Sequence, residues 1–225
     1  MESSVHIDPP RARLADAVPA DLAGLERSLA SRGIDFAYCA TADRAREFVL
    51  SRIPRGATVM NGGSATLERI GILDALRGGA YEFLRPGINA MNRGDERVRV
   101  RRRATTADYF VGGVNAITVD GEIVNVDGSG NRLASYAYGA GKVLMVAGIN
   151  KIVPDLASAI SRIRSTAAPE ECRHLGKRTP CAVTGVCDNA GCRGEDRQCG
   201  KMLIIENERI AGRITVVMIG EAHGY

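Results

Sequence analysis

The sequence predicts an α/β fold in which a mainly parallel sheet is sandwiched by helices. Three observations lead to this prediction. Alanine, valine, isoleucine, leucine and glycine dominate a chain of 225 residues that lacks tryptophan, a composition typical of sheets buried on both faces. Short apolar runs alternate with helical patterns. Glycine-rich loops follow several of these runs, where a strand would turn into a helix.

The first part of the chain alternates between helices and strands. The sequence predicts a helix that Asp21 caps and Gly33 ends, followed by a strand over residues 34–39. Thr41 is placed to cap a second helix, and another strand is expected over residues 57–60. Three residues are expected on the buried face of the second helix: Ala45, Phe48 and Val49.

The later part of the chain adds an antiparallel element. Strands are expected over residues 108–113 and 142–147, and Pro154 fits the first turn of a helix. Asp120-Gly121 lies between two β-rich runs and predicts a hairpin, so the predicted sheet is mixed. Two C-terminal runs are expected to complete the sheet or to form an added hairpin: residues 202–206 and 213–221.

The composition argues against nucleic-acid-binding, membrane-spanning and secreted proteins. The net charge of +4, from 30 basic and 26 acidic residues, is too small to predict nucleic-acid binding. The sequence contains no run of 18 apolar residues, so no membrane span is predicted. The polar N-terminus lacks the apolar core of a signal peptide. We therefore expect a cytoplasmic protein with a flexible arm over residues 1–19 and a single domain over residues 20–225.

An arginine-rich segment covers residues 97–103, which contain five arginines. Such a segment is either the solvated face of a helix or strand, or a surface that steers anions. The sequence leaves both interpretations open.

Three loops are predicted to meet at the carboxyl ends of the strands, where open α/β sheets bind ligands. The first contains Gly62, Gly63, Ser64 and Thr66; its glycines and hydroxyls suit an anion at a helix N-terminus. It lacks the Gly-Lys-Ser/Thr sequence of a P-loop, and a tight turn with a helix cap is the alternative.

The second and third loops add charged residues. Asp127 is a candidate general base or the centre of a polar network, and Arg132 can grip a carboxylate or phosphate. Lys151 directly follows a buried-type strand and offers a point charge. Asn115 is a fourth contributor. The alternatives are a turn with a surface arginine, a solvated lysine and simple turn chemistry.

Glu68 is the candidate for proton transfer. It lies in the first turn of the helix that follows Ser64, where a carboxylate also favours the helix dipole. Plain support of that helix is therefore the alternative.

A cysteine-rich loop, residues 172–199, contains four closely spaced cysteines: Cys181, Cys187, Cys192 and Cys199. Four thiolates can bind zinc or an iron–sulfur cluster; disulfides and plain burial are the other interpretations. Lasting disulfides are rare in the cytosol. Cys172 and His174 are reserve ligands, and Cys39, in a strand, is expected to be a small core residue.

Several segments resemble the LUD-domain (lactate utilization) family: residues 61–71, 107–134, 143–153, 179–187 and 216–225. The resemblance covers about residues 20–225. It implies a Rossmann-like α/β sandwich similar to the ribose-5-phosphate isomerase and CoA-transferase group. Carried over to this chain, the family's motif residues are Gly63, Ser64, Thr66, Glu68, Asn115, Asp127, Gly130, Asn131, Arg132, Asn150 and Lys151. The cysteine spacing departs from the family pattern, because the step from Cys187 to Cys192 is longer.

The resemblance also implies a function. Family members are associated with bacterial lactate utilization, some beside iron–sulfur subunits that oxidise L-lactate to pyruvate. We therefore expect a small anionic metabolite as ligand, an iron–sulfur protein as partner, and an iron–sulfur cluster or zinc at the cysteine loop. The alternatives are a non-catalytic subunit that docks on an iron–sulfur partner, and an enzyme of the CoA-transferase or sugar-phosphate isomerase type.

Overall fold

The structure is a computed structural model that describes residues 15–225, so most of the predicted arm of residues 1–19 lies outside the described residues. The strands within this range are β1 (Asp35–Cys39), β2 (Thr58–Asn61), β3 (Glu82–Phe83), β4 (Tyr109–Gly113), β5 (Ala116–Thr118), β6 (Ile123–Asp127), β7 (Lys142–Gly148), β8 (Ile152–Val153), β9 (Lys201–Ile205) and β10 (Ile214–Ile219).

The α-helices in the same range are α1 (Ala23–Ser31), α2 (Ala42–Arg52), α3 (Ala65–Arg69), α4 (Ile72–Gly78), α5 (Leu84–Ala90), α6 (Asp95–Arg103), α7 (Asn131–Ala134), α8 (Leu156–Arg162), α9 (Ala168–His174) and α10 (Pro180–Thr184). Short π-helical turns continue α7 and α8, over Ser135–Gly139 and Ile163–Ala167. Among the described residues, no helix is long and apolar enough to cross a membrane.

The main sheet has six strands in the order β1-β10-β7-β4-β2-β3, and every pair in it is parallel. The predicted α/β fold with a mainly parallel sheet is confirmed. The strand β10, which lies between β1 and β7, is buried along its whole length, as expected for a strand covered on both faces. Separate apolar clusters fill its two faces, one around Phe110 and Tyr136 and the other around Val49 and Leu67.

The antiparallel pairs lie in a second sheet of four strands, in the order β8-β5-β6-β9. The predicted hairpin at Asp120-Gly121 is confirmed, because β5 and β6 pair antiparallel. The C-terminal runs do not pair with each other: β9 pairs with β6, whereas β10 lies between β1 and β7. An added hairpin from these two runs is therefore wrong. The fully buried β10 suits an interior position with a neighbour on each side, and the partly exposed β9 suits the edge of the second sheet.

Helix caps follow part of the sequence prediction. The Thr41 hydroxyl accepts a hydrogen bond from the Arg44 amide at 3.4 Å, as predicted. The helix predicted at Asp21 begins later, after Leu22, without a side-chain cap. Pro154 precedes α8 instead of lying in its first turn. Asp155 caps that helix, because its side chain accepts from the Ser158 amide at 2.7 Å.

Candidate functional site

A polar pocket of about 220 Å³ lies where the two sheets meet. The loops after β2, β4, β6 and β7 form most of it, and α9 forms one wall. Nine residues proposed from the sequence line this pocket together: Gly62, Gly63, Ser64, Thr66, Asn115, Asp127, Asn131, Arg132 and Lys151. The expectation that the separate strand-end loops converge is therefore met in space.

Three predicted site residues do not line the pocket. Gly130 donates its main-chain N–H to Asp127 Oδ1 at 3.1 Å and so shapes the loop. Asn150 holds the C-terminal segment, since its Nδ2 donates to the Gly224 carbonyl at 3.2 Å. Glu68 is exposed on α3, with its Oε2 4.0 Å from His174 Nε2. Its charge acts on Arg85 and Tyr225, which line the pocket.

The first loop is both a helix cap and a pocket wall. The Ser64 hydroxyl accepts a hydrogen bond from the Leu67 amide at 3.3 Å, which caps α3. This loop packs tightly on the end of β4: a Cβ on Gly113 would lie 2.6 Å from Ser64 Oγ. The absence of a side chain at Gly113 therefore lets the two strand-end loops meet.

Asp127 centres a polar network. Its Oδ1 accepts from the main-chain amides of Ser129, at 3.0 Å, and Gly130, at 3.1 Å. Its Oδ2 accepts from the Arg132 amide at 3.3 Å and lies 3.9 Å from Arg132 Nε. A carboxylate committed to this many donors fixes the turn before α7. Of the two sequence interpretations, the polar network is the one that the contacts support.

Arg132 is held in place from several sides. Its Nη2 donates to the Val126 carbonyl at 2.6 Å and to Asn115 Oδ1 at 3.3 Å. The guanidinium also lies over the Tyr136 ring, 6.0 Å from its centroid. A Cβ on Gly62 would lie 2.8 Å from Arg132 Cδ, so this glycine makes room for the arginine. The interpretation of Arg132 as a solvated surface residue is wrong.

Lys151 is buried, with only 1% of its surface exposed. Its Nζ donates to the main-chain carbonyl oxygen of Tyr225. Burial lowers the pKa of Lys151 to about 7, and the nearby charges of Arg162 and Arg69 lower it further. The interpretation as a solvated lysine is therefore wrong, and its charge depends on pH near neutrality.

The pocket also contains charged residues that the sequence analysis missed. Arg85 donates to the Asn61 carbonyl at 2.9 Å; burial, then the charge of Arg101, lowers its pKa. Arg101 donates to Ser129 Oγ at 2.9 Å and to Asn131 Oδ1 at 2.7 Å. The arginine-rich segment contains Arg101, so the sequence did offer a feature that could have pointed to it. Arg85 is an isolated arginine on a short helix, and no sequence feature marks it as a pocket residue.

Glu171 and Tyr225 close one side of the pocket and were also missed. The Tyr225 hydroxyl donates to Glu171 Oε2 at 2.5 Å. Burial, followed by the hydrogen bond and charge of Glu171, raises the pKa of the Tyr225 hydroxyl. With Asp127, Glu171 is one of two acidic residues against four basic residues in the lining: Arg85, Arg101, Arg132 and Lys151. The pocket thus has an excess of positive charge.

All six cysteines are unpaired. The four predicted ligands, Cys181, Cys187, Cys192 and Cys199, line one small cavity of about 10 Å³. Within residues 15–225, however, no three His, Cys, Asp or Glu side chains lie close enough together to hold a metal ion.

The other cysteines and His174 lie elsewhere. Cys172 is buried in α9 and is not part of that cavity lining, and His174 is exposed beside Glu68. Cys39 is fully buried in the core; burial, then the charge of Asp16, raises its pKa to about 11.

Comparison with known proteins gives a family and a fold. A model of the LUD domain matches residues 22–219. The chain is similar to the crystal structure of a DUF162 family protein from Deinococcus radiodurans, with a TM-score of 0.52 and 12% identity over 88% of this chain and 96% of that one. At this identity the likeness concerns the fold alone.

A more distant likeness is to ribose 5-phosphate isomerase A from Neisseria gonorrhoeae. The TM-score is 0.31 at 15% identity, over 62% of this chain and 69% of that one, and it carries no argument about function. The sequence matches no curated protein.

Proposed function

This chain belongs to the LUD-domain family, and we propose that it binds a small organic anion in the strand-end pocket as part of lactate or other organic-acid utilization in the cytoplasm. The reaction that the family resemblance implies is the oxidation of L-lactate to pyruvate. That reaction releases two electrons and two protons, so the proposal includes an iron–sulfur partner protein as electron acceptor.

The excess of basic side chains in one small pocket carries this proposal. Asp127 is committed to main-chain amides, and Glu171 accepts a hydrogen bond from the Tyr225 hydroxyl. Neither acidic residue makes an ion pair with Arg85, Arg101 or Lys151 among the described contacts. An added carboxylate or phosphate would supply the missing negative charge and accept charge-assisted hydrogen bonds.

The size and the rigidity of the pocket favour a small ligand. A volume of about 220 Å³ is below the range of pockets for drug-sized molecules, roughly 300–1,000 Å³. Arg101 and Arg132 are each oriented by at least two hydrogen bonds from their guanidinium groups. Prepositioned groups lose less conformational entropy when a ligand binds. A three-carbon hydroxy or oxo acid fits these limits.

Calorimetric titration with L-lactate, pyruvate and sulfate tests the proposal, with neutral 1,2-propanediol as the control ligand. Arg101→Ala and Arg102→Ala form a matched pair: both arginines are exposed on α6, but Arg101 lines the pocket and Arg102 does not. We expect Arg101→Ala to weaken anion binding roughly tenfold to a hundredfold, because the variant loses one charge-assisted hydrogen bond to the anion. Arg102→Ala should leave the affinity within about twofold, as for a screened surface charge.

Arg132→Ala should weaken anion binding at least as much as Arg101→Ala, and circular dichroism would show whether that variant is folded. Binding of the neutral diol as tightly as the anions would contradict the proposal. Equal affinities of the Arg101 and Arg102 variants would also contradict it. If the anions bind as expected but no iron–sulfur partner co-purifies, the binding part stands and the redox part fails.

A further inference from the structure

The cysteine-rich loop lacks the supports that hold the rest of the chain. Residues 185–200, between α10 and β9, form no helix or strand, and ten of these sixteen residues are exposed. Long irregular segments in compact domains usually have a functional reason. Main-chain and side-chain hydrogen bonds around Asp188, Asp196 and Arg197 shape local turns. These contacts leave the cysteine side chains without a common partner.

Four thiols from different parts of this segment surround one cavity. Cys181 comes from α10, Cys187 and Cys192 from the loop, and Cys199 from the residues just before β9. The cavity of about 10 Å³ corresponds to roughly one water-sized sphere. That space suits a single ion, whereas a cluster of several iron and sulfide ions needs far more.

The charges around this cavity also suit thiolates bound to a cation. Arg164 and Arg197 line it together with the cysteines. Arg197 Nη1 donates to the Cys192 carbonyl at 2.9 Å, but its Nε is buried and has no hydrogen-bond partner. A buried unpartnered N–H is costly. A thiolate sulfur in this cavity would provide the acceptor that Arg197 Nε lacks.

The four thiols converge on this cavity without yet lying at ligand distance from one centre.

We propose that Cys181, Cys187, Cys192 and Cys199 bind one Zn²⁺ ion as four thiolates, and that the loop closes around the ion when it binds. Each thiol gives up one proton, so the Zn–S₄ centre carries two negative charges. Arg164 and Arg197 supply positive charge beside it, and Asp188 also lines the cavity. Zinc prefers four ligands in a tetrahedron with Zn–S distances of about 2.3 Å. Cys187 and Cys192 lie in the segment that forms no helix or strand, and metal binding is commonly coupled to local folding.

Closure of this loop would also shape the anion pocket. Gln198, beside Cys199, lines the pocket, and Ala168 lines both cavities. A Cβ on Gly128 would lie 3.1 Å from the Arg197 carbonyl oxygen, so the loop packs directly on the turn that contains Asp127. The zinc centre is therefore a structural support for one wall of the pocket.

Elemental analysis tests the proposal on protein purified anaerobically without chelators, and on the same protein titrated with zinc alone under reducing conditions. We expect about one zinc ion per chain. Cys187→Ser and Cys192→Ser change half-buried loop residues and should lose the zinc while they keep the far-ultraviolet circular dichroism of the wild type. Cys39→Ala is the control, because Cys39 is a buried thiol in the core, and it should retain the zinc.

Each other outcome contradicts the assignment. If the analysis finds iron and acid-labile sulfide and no zinc, the site holds an iron–sulfur cluster and the zinc assignment is wrong. Zinc retained by folded Cys187→Ser and Cys192→Ser would place the ion elsewhere. Four freely titrating thiols with no zinc bound at micromolar concentration would remove the metal site altogether.

Discussion

The anion pocket and the cysteine-rich loop lie side by side but are organised in opposite ways. In the pocket, the protein already holds the charged groups: Asp127 accepts from three main-chain amides, and Arg132 donates to two oxygens. In the loop, Cys181 contacts the Thr179 hydroxyl at 3.3 Å, and the thiols converge on a cavity without forming a ligand set.

This difference follows from the elements that carry the residues. Strand ends of a buried parallel sheet are fixed by hydrogen bonds on both sides, so the loops that leave them start from rigid points. The segment between α10 and β9 has no such anchor. We infer that the pocket is ready for its ligand, whereas the cysteine site is completed by its ligand.

The largest expected effect concerns the charge of Lys151 in the pocket. Its pKa is about 7 in the folded protein, so it loses its charge as the pH rises above 7, while the carboxylate of L-lactate stays ionised. Affinity for L-lactate should fall by up to about tenfold per pH unit between pH 7.5 and 9.5. Titration calorimetry across this range measures the slope.

Lys151→Met is the control for that slope. Methionine at this position carries no titratable group. The variant should bind L-lactate weakly with a nearly flat pH profile. The free energy of unfolding without ligand should change with pH in the opposite direction. Above pH 7 the lysine binds more protons in the unfolded chain than in the folded one, so the free energy of unfolding of the wild type should rise with pH relative to the variant. Parallel profiles in both experiments would refute this role of Lys151.

The sequence predicted where the pocket lies better than it predicted the environment of the charged residues in it. The strand–helix alternation placed the loops after β2, β6 and β7 at one edge, and their polar residues do meet there. It did not show that Asp127 is saturated or that Lys151 is buried, because both depend on contacts far apart in the chain. Arg85 and Glu171 reach the pocket from helices whose position only the folded chain determines.

A smaller effect is expected when the packing beneath Arg132 is disturbed. Gly62→Ala places a Cβ within 2.8 Å of Arg132 Cδ, and overpacking of this kind costs about 1–3 kcal/mol of unfolding free energy. Displacement of Arg132 should also weaken L-lactate binding by roughly tenfold. Chemical denaturation and calorimetry measure the two effects.

Gly24→Ala is the matched control, because nothing lies within 4 Å of the added methyl group on α1. It should stabilise the protein by about 0.5–1 kcal/mol and leave L-lactate binding unchanged. If Gly62→Ala also stabilises the protein and leaves L-lactate binding unchanged, Arg132 is not held rigidly. The pocket is then not preformed in the way that distinguishes it from the cysteine-rich loop.

The fold was predictable where local patterns and tertiary packing agree. Thr41 caps α2 as its sequence context indicates, and Asp120-Gly121 forms the expected hairpin. The partners of the last strands were not predictable in the same way. Two runs that are adjacent in sequence suggested a hairpin, but the fully buried β10 lies inside the main sheet between β1 and β7. Local signals do not encode this long-range pairing.

The smallest expected effect separates the two regions directly. Removal of zinc by a chelator should raise hydrogen exchange of main-chain amides in residues 185–200 and leave exchange in β4 and β7 unchanged, because the six-stranded sheet does not depend on the loop. L-lactate affinity should fall by no more than about threefold, since Gln198 is the one residue of segment 185–200 that lines the pocket. Cys192→Ser should show the loosened loop before any chelator is added. A chelator that unfolds the main sheet would show that the two regions form one cooperative unit, because the sheet would then depend on the metal.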